Sequence, residues 1–180
     1  MSTPASTDAT PARRPFAVPG ELAARGVSLR TQTEEDVPFL CRLYVSIRWE
    51  EVQAAPWTDE QRLAFLEDQF SKQHRHYSTY YTRSDFLIIE KDGAAVGRLC
   101  IDRGHHSDLR VVDIALLPGA RGTAIGGDLL RAVQAEARDE GKKVSIHVEQ
   151  ENPAKRLYAR LGFRDVSQTG PYWLMEWTPD

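Results

Sequence analysis

Apolar positions along the chain fall into short periodic blocks, and the period changes from block to block. In "EEDVPFLCRLYVSIRWEE", residues 34–51, Phe39, Leu40, Leu43, Tyr44 and Ile47 recur at three- and four-residue steps, which predicts an amphipathic helix. The short "SLRTQT" before it reads as a strand. After the irregular "VQAAPW", Thr58 stands as an N-cap to "DEQRLAFLEDQFSKQHRHYSTYY", where Leu63, Leu66, Phe70 and Tyr77 keep the helical step. The pattern then shortens: "FLIIE", the turn "KDG" and "AAVGRLCID" predict a hairpin, and "LRVVDIALLP" a further strand beyond the polar "RGHHSD".

From Gly122 the apolar residues return to four-residue steps at Ile125, Leu129, Val133 and Ala137, a helix closed by Gly141. "VSIHV" alternates Val144, Ile146 and Val148 against Ser145 and His147, as a strand does. Asn152 and Pro153 make an N-cap and first helical position for a short helix carrying Ala154, Leu157, Tyr158 and Leu161, which stops at Gly162. "FRDVSQ" and "PYWLMEW" end the chain as strands. There are no internal repeats, and this order of elements predicts an α/β (α+β) fold, a mixed sheet with helices on its faces.

Composition bounds the function. With 41% hydrophobic residues in 180 positions there is apolar material for one core, expected over residues 27–180. Proline and small polar residues dominate the first 20 positions, so residues 1–26 are expected to form a flexible tail. A net charge of -3 offers no overall pull toward nucleic acid or an anionic membrane. With no membrane-length apolar run and no secretory apolar core, the expected compartment is the cytoplasm. Cys41 and Cys100 lack zinc-site spacing and read as reduced thiols. The histidines of "HRH" at 74–76 and "GHHSD" at 104–108 are not spaced to share a metal, so none is expected.

The candidate chemistry centres on "ARGTAIGGDLL", residues 120–130. Gly122 and Gly127 have P-loop spacing, but Asp128 and Leu129 replace the Lys and Ser or Thr that motif requires. The dinucleotide pattern G-x-G-x-x-G fits no register of Gly122, Gly126 and Gly127. What remains is a strand leading through a small-residue turn into a helix, whose free N–H groups and positive dipole end suit an anion. The alternative is that these glycines only let helix and strand pack closely.

"DIALLPGARGTAIGGDLL" resembles the acyl-CoA-binding motif of the GNAT superfamily of N-acetyltransferases: Arg or Gln, two residues, Gly or Ala, one residue, then Gly or Ala, matched by Arg121, Ala124 and Gly126. "ENPAKRLYARLGF" is similar to the family's second signature. The resemblance implies a central mixed, mostly antiparallel sheet of six to seven strands flanked by four helices. It implies acetyl-CoA as cosubstrate, a primary amine as acceptor, and direct attack in a ternary complex. The coenzyme arm would run beside Ile114, Ala115 and Leu116, its pyrophosphate against the N–H groups of Gly122, Thr123, Ala124, Ile125, Gly126 and Gly127.

In the same resemblance Tyr158 would protonate the departing thiolate, and Asn152 would touch the coenzyme arm as well as cap its helix. Its alternative as a core aromatic stays open for Tyr158. His147 is the first candidate for general base, with water as the alternative, and Asp113 the second. The acceptor pocket is expected among Trp49, Glu50, Trp57 and Tyr77, where acidic and aromatic groups suit a cationic amine, or else form a wet helix end and core filler. The acceptor is read as a small molecule, with a protein N-terminus or lysine as the alternative. A non-catalytic acyl-CoA-binding module is the contrasting class, and a homodimer is compatible with the family.

Overall fold

A computed structural model describes residues 15–180. Seven strands form one sheet in the order β1-β2-β3-β4-β5-β7-β6: β1 Val27–Thr31, β2 Ser84–Lys91, β3 Ala94–Asp102, β4 Asp108–Leu116, β5 Lys143–Glu149, β6 Arg164–Thr169 and β7 Tyr172–Trp177. Among the described residues only β4 and β5 pair in parallel. Among the described residues the α-helices are α1 Gly20–Ala24, α2 Val37–Arg48, α3 Asp59–Tyr80, α4 Ile125–Asp139 and α5 Ala154–Arg160. The mixed, mostly antiparallel sheet is therefore as expected, with one short helix more.

Local chemistry explains the boundaries. The Thr58 hydroxyl accepts from the Gln61 N–H at 3.3 Å while Gln61 Oε1 accepts from the Thr58 N–H at 2.9 Å, a capping box that starts α3. Asp92 and Gly93 both take positive φ, 52° and 81°, the conformation of a two-residue type I′ hairpin turn between β2 and β3. The run "FLIIE" does not alternate because both sheet faces are covered: Ile88 and Ile89 are each fully buried, on opposite sides.

One face packs Leu22 of α1, Ile125, Leu129 and Val133 of α4 and Tyr158 of α5 against Leu99, Ile101, Val111 and Ile146. The other packs Phe39, Leu40 and Leu43 of α2 and Phe70 of α3 against Ile88. The helices thus enclose the middle of the sheet, while β6 is exposed at every residue.

The expected tail needs correction. Residues 1–14 lie outside the described residues, but 15–26 are ordered: Phe16 and Leu22 are buried in the α4-side core, and the Arg103 guanidinium lies 5.9 Å over the Phe16 ring. The reason is that a few apolar residues in a polar stretch suffice when a groove is waiting for them. Composition averages them away.

Candidate active site

The site begins where β4 and β5 part. Their parallel pairing runs only from Asp108↔Lys143 to Val111↔Ile146. A bulge follows at once: β3 pairs Ile101 with Val111 and Cys100 with Asp113, so Val112 is the extra residue. Beyond it β4 continues to Leu116 beside β3, and β5 to Glu149 beside β7. Residues 113–116 therefore carry backbone N–H and C=O groups on an edge with no strand partner, in a wedge-shaped opening. The bulge also reverses side-chain parity: Leu109 and Val111 face the α4 side, and past it Ile114 and Leu116 do, with Ala115 on the α2–α3 side.

The glycine loop sits at the end of that edge. No described residue accepts a hydrogen bond from the N–H groups of Gly122 to Gly127, and the first helical bond is from the Asp128 N–H to the Ala124 carbonyl at 3.0 Å. Six consecutive donors without an acceptor among the described residues, at the positive end of the 15-residue α4, could hold an anion. Close packing does not require these glycines. A Cβ at Gly126 would meet Leu116 at 3.7 Å, and one at Gly127 would meet Arg131 and Leu157 at 3.7 Å, ordinary contacts. Gly122 has open space around it and a φ of +72°, so its role there is conformational. Ala124 holds the same left-handed region at φ 65°.

Arg25, just past α1, fastens this loop: its guanidinium donates to the Thr123 carbonyl and, at 3.0 Å, to Asp128 Oδ2. Sequence reasoning placed Arg25 in a tail and had no signal for it. Arg121 donates to the Leu116 carbonyl at 3.1 Å, closing the turn from the strand side. Asn152 Oδ1 accepts from the Ala154 N–H at 2.9 Å, so it caps α5 although the helix starts one residue later than expected.

Tyr158 is 5% exposed and packs on Phe163 with ring centroids 6.0 Å apart. Burial, followed by the negative charge of Asp113, pushes its phenol above the ordinary value of 10. Asp113 itself is committed. Arg98 Nε donates to Asp113 Oδ2 at 2.9 Å, and Arg98 Nη2 also donates to that oxygen and to Gln73 Oε1 at 3.1 Å. The Arg98 guanidinium lies 5.3 Å over the Tyr77 ring, tying β3 and β4 to α3. Beside it, burial first and then Asp113 push the Cys100 thiol up to about 12, an unreactive thiol.

On the α3 side of the opening is a cavity of about 440 Å³. His76, Tyr77 and Tyr81 line it from α3 and its end, Arg110 and Val112 from β4, His147 from β5, Thr169 and Tyr172 from β6 and β7. Burial first and then the Arg110 charge hold the His147 imidazole below its ordinary 6.5, so it is neutral at pH 7. Of the four expected acceptor residues the structure brings Tyr77 here. Trp49, Glu50 and Trp57 do not line the cavity, and Trp57 packs on Phe65 at 5.1 Å. They lie instead in or beyond the turn after α2, which Arg62 braces by donating to the Val52, Gln53 and Ala55 carbonyls.

The family model for the GNAT acetyltransferases matches residues 44–163. This chain belongs to that family. An uncharacterized N-acetyltransferase of Mycobacterium tuberculosis is 36% identical over 92 residues, which is 49% of this chain and 59% of that protein; the match thus spans about three fifths of the relative's length. A Bacillus subtilis protein, described as a candidate alanine N-acetyltransferase of ribosomal protein bS18, is 30% identical over 61% of this chain and 66% of its own. The crystal structure of the PaiA N-acetyltransferase from Thermoplasma acidophilum in complex with coenzyme A superposes with a TM-score of 0.64 at 18% identity, covering 85% of this chain and 99% of that one. Among the described residues no helix is long and apolar enough to cross a membrane.

Proposed function

We propose that this chain transfers an acetyl group from acetyl-CoA to the primary amine of a small molecule, by direct attack in a ternary complex. One observation carries the reading: the six N–H donors of Gly122 to Gly127, without an acceptor among the described residues, follow on from the unpaired edge of β4, and Tyr158 is buried on the α4 side of the sheet within reach of the charge of Asp113. The donors fit a pyrophosphate without a metal, and the strand edge fits an amide-bearing arm such as pantetheine. Asn152 stands at the far side, where its side chain caps α5.

Bound acetyl-CoA supplies a thioester carbonyl for the amine to attack, forming a C–N bond and breaking the C–S bond. His147, neutral at pH 7, takes one proton of the incoming ammonium; Tyr158 gives its phenol proton to the departing sulfur, and the second proton that the nitrogen loses as the tetrahedral intermediate collapses returns the Tyr158 phenolate to its phenol. We assign Asp113 a positioning role, because Arg98 already claims its carboxylate.

The Bacillus relative favours a second reading, acetylation of a protein N-terminus. The cavity of about 440 Å³, set between α3 and the sheet, supports the small-molecule one. The test is Tyr158→Phe, assayed for coenzyme A release and acetyl-CoA binding. The expected result is unchanged binding with kcat lower by about 10²- to 10⁴-fold. Unchanged turnover would remove Tyr158 from the acid role, and a wild-type chain that binds acetyl-CoA but acetylates no amine would favour a non-catalytic module.

A further inference from the structure

Arg110 sits in the middle of β4, where "LRV" places one charge between two buried apolar residues, Leu109 and Val111. Its Nε is buried and has no hydrogen-bond partner among the described residues. Other sheltered guanidinium groups in this chain are matched: Arg98 by Asp113, Arg103 by Glu136 and Asp85, Arg30 by Asp36 and Glu90, Arg48 by Glu51 and Glu149. Carboxylates near Arg110 in the fold are already engaged, Asp108 with Ser145 and Asp113 with Arg98. A desolvated guanidinium donor without an acceptor is costly, so a site that keeps one is shaped for an acceptor that arrives from outside.

The cavity says what kind. Its other polar lining comes from His76, Tyr77, Tyr81, His147, Thr169 and Tyr172, and no carboxylate is among them. A second ammonium group on the acceptor would find no counter-ion among them, and Glu149, two residues beyond His147, is already held by Arg48 at 3.0 Å and by the Tyr172 hydroxyl at 3.5 Å. Arg110 pairs with Ser145 in the β4–β5 register, which sets His147 one diagonal step farther toward the opening, on the same face. A guanidinium fork and a neutral imidazole thus address two ends of one small molecule.

We infer that the acceptor is a primary amine that also carries a carboxylate, bound by Arg110 while its amine reaches His147. This rests on the acetyl-transfer reading and narrows its substrate class to amino-acid-like amines. It also replaces the cationic-amine pocket expected from Trp49, Glu50 and Trp57.

The experiment measures coenzyme A release by the full chain with acetyl-CoA and a panel of amino acids, each beside its carboxamide and its decarboxylated amine. The expected result is a kcat/KM at least about tenfold higher for carboxylate-bearing members, mostly through KM. Arg110→Met, which keeps the apolar stem, should erase that preference by slowing the carboxylate-bearing members at least about tenfold more than their matched carboxamides and amines, and Arg110→Lys should restore part of it. Equal rates across each matched set, or an Arg110→Met variant that slows neutral and anionic amines alike, would overturn the inference while leaving acetyl transfer in place. Acetyl-CoA binding without release on any amine would overturn both.

Discussion

Arg25 and Asp128, more than 100 positions apart, meet at 3.0 Å, and the same guanidinium holds the Thr123 carbonyl. The residue after α1 is thereby a brace for the loop that begins α4. Because both side chains are partly exposed, the ion pair contributes little to global stability, about 0–1 kcal/mol. Its effect should fall on the loop's order. Arg25→Ala is expected to weaken acetyl-CoA binding by roughly 3- to 10-fold, with about the same melting temperature, as an immobilised loop becomes one that must be ordered on binding. Calorimetric titration alongside thermal melting checks this, and unchanged affinity would exclude the brace.

Leu22 lies on the same short helix and is fully buried against the α4-side core. Leu22→Ala should therefore cost about 2–5 kcal/mol, the range for a buried leucine that leaves a cavity. Urea denaturation reads this directly. A flexible tail would give no change.

Ala124 occupies a left-handed conformation, φ 65°, that glycine adopts without a Cβ clash. Such a conformation costs an L-residue about 1–2 kcal/mol, and glycine's greater unfolded-state freedom returns part of the gain. Ala124→Gly should raise stability by about 0.5–1 kcal/mol, seen as a higher denaturant midpoint at constant slope. A loss of stability would show that the methyl group packs usefully.

Burial and the charge of Arg110 lower the His147 pKa, and a base acts in its neutral form. The acid limb of kcat/KM, which reports the free enzyme, should consequently fall below pH 6.5, activity rising with pH through it. Tyr158 is shifted the other way and acts protonated, so it imposes no loss of activity below pH 10. His147→Gln should remove the acid limb and lower kcat by about 10²-fold. A pH profile unaltered by that substitution would hand the proton to water.

Much of this was legible along the chain. Steps of three and four residues located α2, α3 and α4, alternation located β5, and the turn chemistry of Asp92 and Gly93 located the hairpin, because each depends on neighbours in sequence. Arg121, Ala124 and Gly126 marked the loop, and Leu-Tyr with Gly-Phe marked Tyr158. What no local pattern carried was the pairing of distant groups. The bulge at Val112 sets which face Asp113 and Ile114 take, and it arises from the mismatch of β3 with β4. Arg98 could be known as Asp113's partner, and the Arg110 Nε as a donor without one among the described residues, only once the strands were side by side. Periodicity is encoded by adjacent residues; the state of a buried charge is set by whatever the fold brings within a few ångströms of it.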